Sequence, residues 1–206
     1  MKQKKGFYFR FGKRLFDVCA VILSIVITLP LICVVAFFVA LTSKGPVFFA
    51  QERMGQNFSR FKLLKFRTMI VGADTIGSLV TKGSDPRITR MGSLLRKTKL
   101  DELPQLFNVL KGDMSIVGPR PEVEKYISPF RDKYKAVLSV RPGITDYATL
   151  KYRNEQEILN RYKDTEEGYI KEVLPAKIEL YKKYLREMSF STDLKIIFKT
   201  ILALFS

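Results

Sequence analysis

The residues best equipped for chemistry lie between positions 96 and 122. Asp101 and Glu102 are adjacent carboxylates. Pro104 follows, a residue a helix tolerates only in its first turn, and Gly112 comes eight positions later, where a helix can close. This spacing predicts a helix with Asp101 as its N-cap and Glu102 in its first turn. Free backbone N–H groups at such an end favour anions, phosphate among them. A purely structural reading is open too, in which Asp101 only caps and Glu102 only complements the helix dipole. Against it stands a crowd of cations: Arg87, Arg90, Arg96, Lys97, Lys99, Lys111 and Arg120. Arg120 lies between Pro119 and Pro121, which stiffen its backbone. A rigid guanidinium suits phosphate oxygens. The chemistry indicated is phosphoryl transfer, with one carboxylate attacking phosphorus or binding Mg²⁺ and the other assisting.

Composition narrows the choice. The 206 residues hold no histidine, which removes Ser-His-Asp and Cys-His catalysis, His-ligated zinc and His proton shuttles. Two cysteines, Cys19 and Cys33, sit inside an apolar run and read as small apolar fillers, too few for a Cys-rich metal site or a disulfide scaffold. Lys and Arg number 36 against 20 Asp and Glu, a net charge of +16. That charge suits nucleic acid, an anionic membrane or phosphorylated substrates. A hydrophobic share of 47 % is enough for a packed core.

The scaffold around the carboxylates begins with a long apolar segment. Residues 18–41 carry no charge over 24 positions. Lys2, Lys4, Lys5, Arg10, Lys13 and Arg14 precede this run, and Lys44, Arg53, Arg60, Lys62, Lys65 and Arg67 follow it. A spanning helix concentrates cations on its cytoplasmic side; here neither end looks translocated. Pro30 divides the run. Two limbs of about 12 residues reach roughly 18 Å each, short of a hydrocarbon core of about 30 Å. The expectation is a re-entrant helix broken near Pro30, with both ends cytoplasmic; a single kinked spanning helix is the alternative. Residues 1–43 then form a basic, aromatic N-terminus with the membrane helix, and 44–206 a cytosolic catalytic domain.

Within that domain, 46–51 and 61–69 read as the strands of a hairpin. Residues 70–90 read as loop, 92–111 as a helix in two pieces with a break near Asp101, and 112–123 as loop and turn. Residues 124–139 read as helix, Arg141-Pro142-Gly143 as a turn, and 153–187 as two further helices punctuated by Gly168 and Pro175. The fold class is α+β, mostly helical with a small hairpin. At the C-terminus Leu194, Ile197, Phe198, Ile201, Leu202 and Phe205 form one apolar stripe, facing either the core or the membrane interface.

The run from Asp101 to Glu122, with KRLFD at 13–17, KFRTM at 65–69 and RPGIT at 141–145, resembles the bacterial sugar transferase family. These are monotopic polyprenyl-phosphate phosphoglycosyl transferases of the bacterial inner membrane, acting at its cytoplasmic face. The resemblance covers roughly 8–206. It implies transfer of a sugar-1-phosphate from a UDP-sugar to undecaprenyl phosphate, with release of UMP, and Mg²⁺ as cofactor. By this match Asp101 is the nucleophile and a metal ligand, and Glu102 assists by positioning or by deprotonating a partner. Arg96 and Pro119-Arg120-Pro121 match phosphate-contacting positions, and Arg153 a substrate-site arginine. Two departures stand out. Leu29, not serine, precedes Pro30, leaving Thr28 or Ser24 to satisfy freed backbone groups. Asp146-Tyr147-Ala148 and Lys151-Tyr152-Arg153 replace the usual glycine-containing runs, so the sugar is not carried over.

Other residues keep two readings. Lys65 and Arg67 share a strand face that meets either substrate phosphates or lipid headgroups. Arg141 holds a phosphate or pairs with a carboxylate. Asp113 reads as a turn residue rather than a second metal ligand. Glu122 and Glu124 read as solvated, and Asp17 as paired with a nearby cation. Two rival functions remain. A non-catalytic basic protein of the membrane surface explains the charge but not a carboxylate pair amid arginines. A nucleic-acid binder does not explain the apolar run. The partners expected are the donor, the lipid acceptor and membrane lipids, with no nucleic acid.

Overall fold

The computed structural model describes residues 8, 12–73, 75–76 and 85–205. The stretch containing Phe7, Phe9 and Phe11 and part of the expected 70–90 loop fall outside these residues.

Helix α1 (Lys13–Thr42) is the apolar segment, with a mean hydropathy of 3.0 over its most apolar window. It is helical straight through Pro30, so the expected break is not an interruption of the element. Thr28 Oγ1 donates to the Ser24 carbonyl and Ser24 Oγ to that of Ala20. Each hydroxyl has one proton to give. Neither therefore serves the Val26 carbonyl, four residues before Pro30, whose usual partner the proline removes. One face of α1 lies on the domain. Val21 packs with Phe61, Leu63, Val109 and Met114; Ile32, Val35 and Val39 pack with Phe66 and Leu95. The other face is open: Leu23, Val26 and Ile27 are 63–69 % exposed.

Strands β1 (Phe48–Met54) and β2 (Arg60–Phe66) form the antiparallel hairpin, with Phe48 opposite Phe66 and Met54 opposite Arg60. Its connection takes Asn57 and Phe58 to φ of 54° and 61°. Thr89 caps α2 (Arg90–Thr98) by accepting from the Gly92 amide. Lys99, at φ 60°, ends α2 and turns the chain into a short 3-10 turn, Leu100–Glu102. Helix α3 (Gln105–Lys111) follows and is closed by Gly112 at φ 100°. Here the expectation needs correcting: Asp101 does not cap α3. Pro104 occupies that position, and the Glu102 and Leu103 amides already bond the Lys99 and Leu100 carbonyls.

Residues 112–123 and the 141–143 turn hide a second, parallel strand pair. β3 (Ser115–Val117) lies beside β4 (Gly143–Thr145). Three-residue strands leave no readable alternation. Helices α4 (Glu124–Ile127) and α5 (Arg131–Val137) fill the expected 124–139 segment. Then come α6 (Tyr147–Lys151), α7 (Glu155–Leu159), α8 (Thr165–Gly168), a π-helical turn at Tyr169–Val173, and α9 (Leu174–Glu187). The 153–187 stretch thus holds three helices rather than two. The main core lies here, with Tyr134, Leu174, Ile178 and Tyr181 fully buried.

Helix α10 (Phe190–Phe205) settles which of its faces packs. Asp193 and Ile196 are fully buried and Thr200 Oγ1 meets Thr145 Oγ1 at 2.6 Å. Most of the apolar stripe points outward, with Leu194, Phe198, Ile201 and Leu202 at 42–62 % exposure, while Ile197 packs inward beside Tyr184 and Ile196. The inner side is held by a buried node: the Asp193 carboxylate accepts from Tyr8 Oη, Lys13 Nζ and Tyr184 Oη at 2.6–2.8 Å. Lys13 therefore belongs to Asp193. Asp17 takes the Ile116 amide at 3.1 Å, and the nearby Lys13 charge also acts on it, though Lys13 bonds Asp193.

Candidate active site

Lys65, near the end of β2, points at the turn carrying Asp101 and Glu102. Its Nζ donates to Glu102 Oε1 at 2.9 Å and stands 4.0 Å from Asp101 Oδ2. Arg120 approaches Glu102 from the other side. Nη1 lies 3.2 Å from Oε2, and Nη2 bonds Oε1. Pro119 and Pro121 are buried on either side of it. The Arg120 amide is fixed in turn by Asp146 Oδ2 at 2.9 Å. Arg96 projects from α2, where its Nε donates to Thr68 Oγ1 at 2.8 Å, and its charge acts on Asp101. Gly92 lets α2 come this close: a Cβ there would stand 1.9 Å from the Thr68 carbonyl oxygen.

The two carboxyls are unlike. Burial drives Asp101 toward its neutral form, the Glu102 charge adds to that, and Lys65 and Arg96 oppose; the net effect raises its pKa above the ordinary 3.8. Asp101 is only 6 % exposed, and its Oδ1 is buried without a hydrogen-bond partner. For Glu102, burial also favours the neutral form, but Arg120 and Lys65 outweigh it and hold the carboxyl well below 4.5. Burial lowers the Lys65 ammonium, against the pull of Glu102. Adjacent carboxylates whose proton affinities are pushed apart suit two different tasks.

Of the expected residues, Asp101, Glu102, Lys65, Arg96 and the Pro119-Arg120-Pro121 segment converge. Arg67 does not join them. It lies just past β2 and bonds the Ser43 carbonyl and Oγ at 2.6 Å, beyond the end of α1. Arg141 sits at the far end of α3, where its Nε donates to the Gly112 carbonyl. There it lines a cavity of about 270 Å³ with Arg60, Asn57 and Asp113, away from the carboxylates. Arg153 is exposed in the turn between α6 and α7. Asp113 accepts from Asn108 Nδ2 and pairs with Lys111, which fits a turn residue. Glu122 is a correction: it is 5 % exposed, held by Tyr169 Oη at 2.5 Å and by Arg53. Glu124 is open and pairs with Arg60.

Two supporting residues escaped the sequence reading. Thr68 holds Arg96, and Asp146 holds Arg120 while capping α6 through the Thr149 amide at 2.6 Å. Asp146 stood out only as an unusual residue beside RPGIT; its contact across 26 positions has no local signal.

The bacterial sugar transferase family model matches residues 8–206, which includes every element just described. The chain belongs to the bacterial sugar transferase family. Relatives in that family include a UDP-N-acetylgalactosamine-undecaprenyl-phosphate N-acetylgalactosaminephosphotransferase of Aeromonas hydrophila. It is 36 % identical over 94 % of this chain and 43 % of its own length. The UDP-glucose:undecaprenyl-phosphate glucose-1-phosphate transferase of Escherichia coli K12 is also 36 % identical, over 93 % of this chain and 40 % of its own. The exopolysaccharide production protein ExoY of Sinorhizobium fredii is 35 % identical over 92 % of this chain and 84 % of its own. The chain thus spans less than half of the first two relatives. The long apolar helix α1 is consistent with membrane association.

Proposed function

We propose that this chain transfers a sugar-1-phosphate from a UDP-sugar to undecaprenyl phosphate in two displacements, with Asp101 as the nucleophile. The observation that carries this reading is the unpartnered, buried Oδ1 of Asp101 beside a Glu102 whose oxygens are both engaged. In the first step an Asp101 oxygen attacks the sugar-bearing phosphorus. The bond from that phosphorus to the bridging oxygen breaks, and UMP leaves. In the second, a phosphate oxygen of undecaprenyl phosphate attacks the same phosphorus. The Asp101–phosphorus bond breaks and the carboxylate returns. No net proton is required, so the absence of histidine is no obstacle. Glu102, held in its charged form, is a poor base and serves to position its neighbours. Arg120, Lys65 and Arg96 offset the charge of the diphosphate.

Mg²⁺ fits this donor set. Among the described residues no group of three or more metal-ligating side chains exists. The unpartnered, buried Oδ1 of Asp101 is the oxygen that would hold the ion, since Mg²⁺ sites commonly combine one or two carboxylates with substrate phosphates. Bound there, the ion would neutralise charge developing on the leaving phosphate.

The membrane reading is a helix that enters and leaves by the cytoplasmic leaflet of the bacterial inner membrane. Val21 and Val39, toward opposite ends of α1, both pack on the same domain. The longest stretch without a buried residue is 22–31, ten positions, or about 15 Å of helix, half the hydrocarbon thickness. The outward stripe of α10 meets the start of α1 through Phe16 and Phe190, whose rings lie 5.3 Å apart, so both apolar faces reach one lipid surface.

The test is UMP release by detergent-solubilised protein given a panel of UDP-sugars, undecaprenyl phosphate and Mg²⁺. Release from one or two sugars, lost with EDTA and in Asp101→Asn, supports the reaction. Equal release by Asp101→Asn sinks the nucleophile.

A further inference from the structure

The contacts of Glu102 resemble those of a bound ligand more than those of a free catalytic group. Arg120 meets its two oxygens in a fork, and Lys65 Nζ closes on one of them at 2.9 Å. A guanidinium fork with an ammonium beside it suits a phosphate as well as a carboxylate, since both present paired anionic oxygens. Both cations approach from fixed elements: Lys65 from β2, and Arg120 from a segment locked by two prolines and by the Asp146 bond. Only Glu102 stands on a short 3-10 turn.

We infer that Arg120 and Lys65 form the seat of one phosphate of the donor's diphosphate, and that Glu102 occupies this seat until the diphosphate displaces it. The inference rests on the reaction proposed above and adds the order of events at its site. Displacement exchanges one anion for another on the same two cations. It leaves Glu102 with both oxygens unpaired next to Asp101 Oδ1, which is already without a partner. Two carboxylates then become available together to a divalent cation. Diphosphate and cation each favour binding of the other, because each is linked to the same movement of Glu102.

The test uses inorganic pyrophosphate, which carries neither sugar nor uridine, titrated calorimetrically into the full chain in detergent without metal. Glu102→Gln, which cannot hold both cations as a charge, binds pyrophosphate roughly tenfold more tightly than the unaltered protein. Glu102→Asp keeps the charge but withdraws it from the fork, and gains affinity in the same direction by a smaller factor; it serves if the Gln variant does not fold. Asp101→Asn removes one charge a residue away and is the control. Equal gains in Asp101→Asn and Glu102→Gln would reduce the effect to net charge and overturn the inference. So would unchanged or weaker binding by folded Glu102 variants, undetectable binding by all proteins included. Tighter binding by Glu102→Gln in a protein that releases no UMP would keep the competition and remove the donor assignment, so the two failures are distinct.

Discussion

The fully buried carboxylate of Asp146 reaches across 26 positions to accept the Arg120 amide, and so sets from behind the guanidinium that grips Glu102. Its second oxygen caps α6. Asp146→Ala loses both contacts, at a cap cost of about 1 kcal/mol, and lets the Pro119–Pro121 segment shift. Because misplacing a positioned group costs far more in turnover than in folding, UMP release falls by about tenfold or more. Asp146→Asn can keep the cap while turning an N–H toward the Arg120 N–H. It therefore melts close to the unaltered protein yet shares much of the loss in turnover. Unaltered kinetics in both variants would remove Asp146 from the site.

Acid inactivation precedes acid unfolding. Asp101 must be ionised to attack, and burial raises its pKa above 3.8. Single-turnover UMP release therefore declines as pH falls through that raised value. Glu102 is held well below 4.5, so its ion pairs stabilise the fold above its unfolded value and are lost only as pH falls through the depressed one. A pH–rate profile beside a pH–melting profile checks the order. An acid limb at or below the ordinary carboxylate range would contradict the environment assigned to Asp101.

The topology proposed above puts both ends of α1 in the cytoplasm, and thiol labelling tests it. In a Cys19→Ser, Cys33→Ser background, Leu15→Cys and Thr42→Cys are each protected from a membrane-impermeant thiol reagent in spheroplasts and labelled in inverted vesicles. Labelling of either position from the periplasmic side would make α1 a spanning helix.

The Asp193 node ties the start of α1 to α10. Asp193→Ala strands the buried Lys13 ammonium, takes the acceptor from Tyr8 Oη and leaves Tyr184 Oη only the Val117 carbonyl at 3.2 Å. Breaking a buried pair from one side costs about 3–5 kcal/mol. The melting temperature in detergent drops accordingly, and Lys13→Met with Asp193→Leu recovers part of it. A drop no larger than that of an exposed pair such as Lys135–Asp132 would show that the node is not structural.

Much of this arrangement was legible in the sequence. The apolar run, the hairpin, the break before α3 and its closure at Gly112 follow from composition and from Pro and Gly placement. Residue types marked the Asp101–Glu102 pair amid cations, and the family resemblance singled out Arg96 and Arg120, whereas Lys65 kept two readings. The rest depended on contacts between distant segments. Arg67 shares a strand face with Lys65 but lies where Ser43 is within reach. Glu122 reads as solvated until Tyr169 and Arg53 cover it. Asp101 reads as a cap until Lys99 adopts a left-handed turn and moves the start of α3 to Pro104. The α10 stripe reads equally as core or interface until Asp193 and Ile196 take the inner face.

Two displacements require a bond between Asp101 and the sugar phosphate. Intact-protein mass spectrometry after incubation with the active UDP-sugar and Mg²⁺, without undecaprenyl phosphate, tests it directly. One added sugar phosphate per chain is expected, mapped to Asp101, released on adding the acceptor and absent from Asp101→Asn. An unmodified chain that releases UMP only when undecaprenyl phosphate is present would mean direct transfer, with no bond to Asp101.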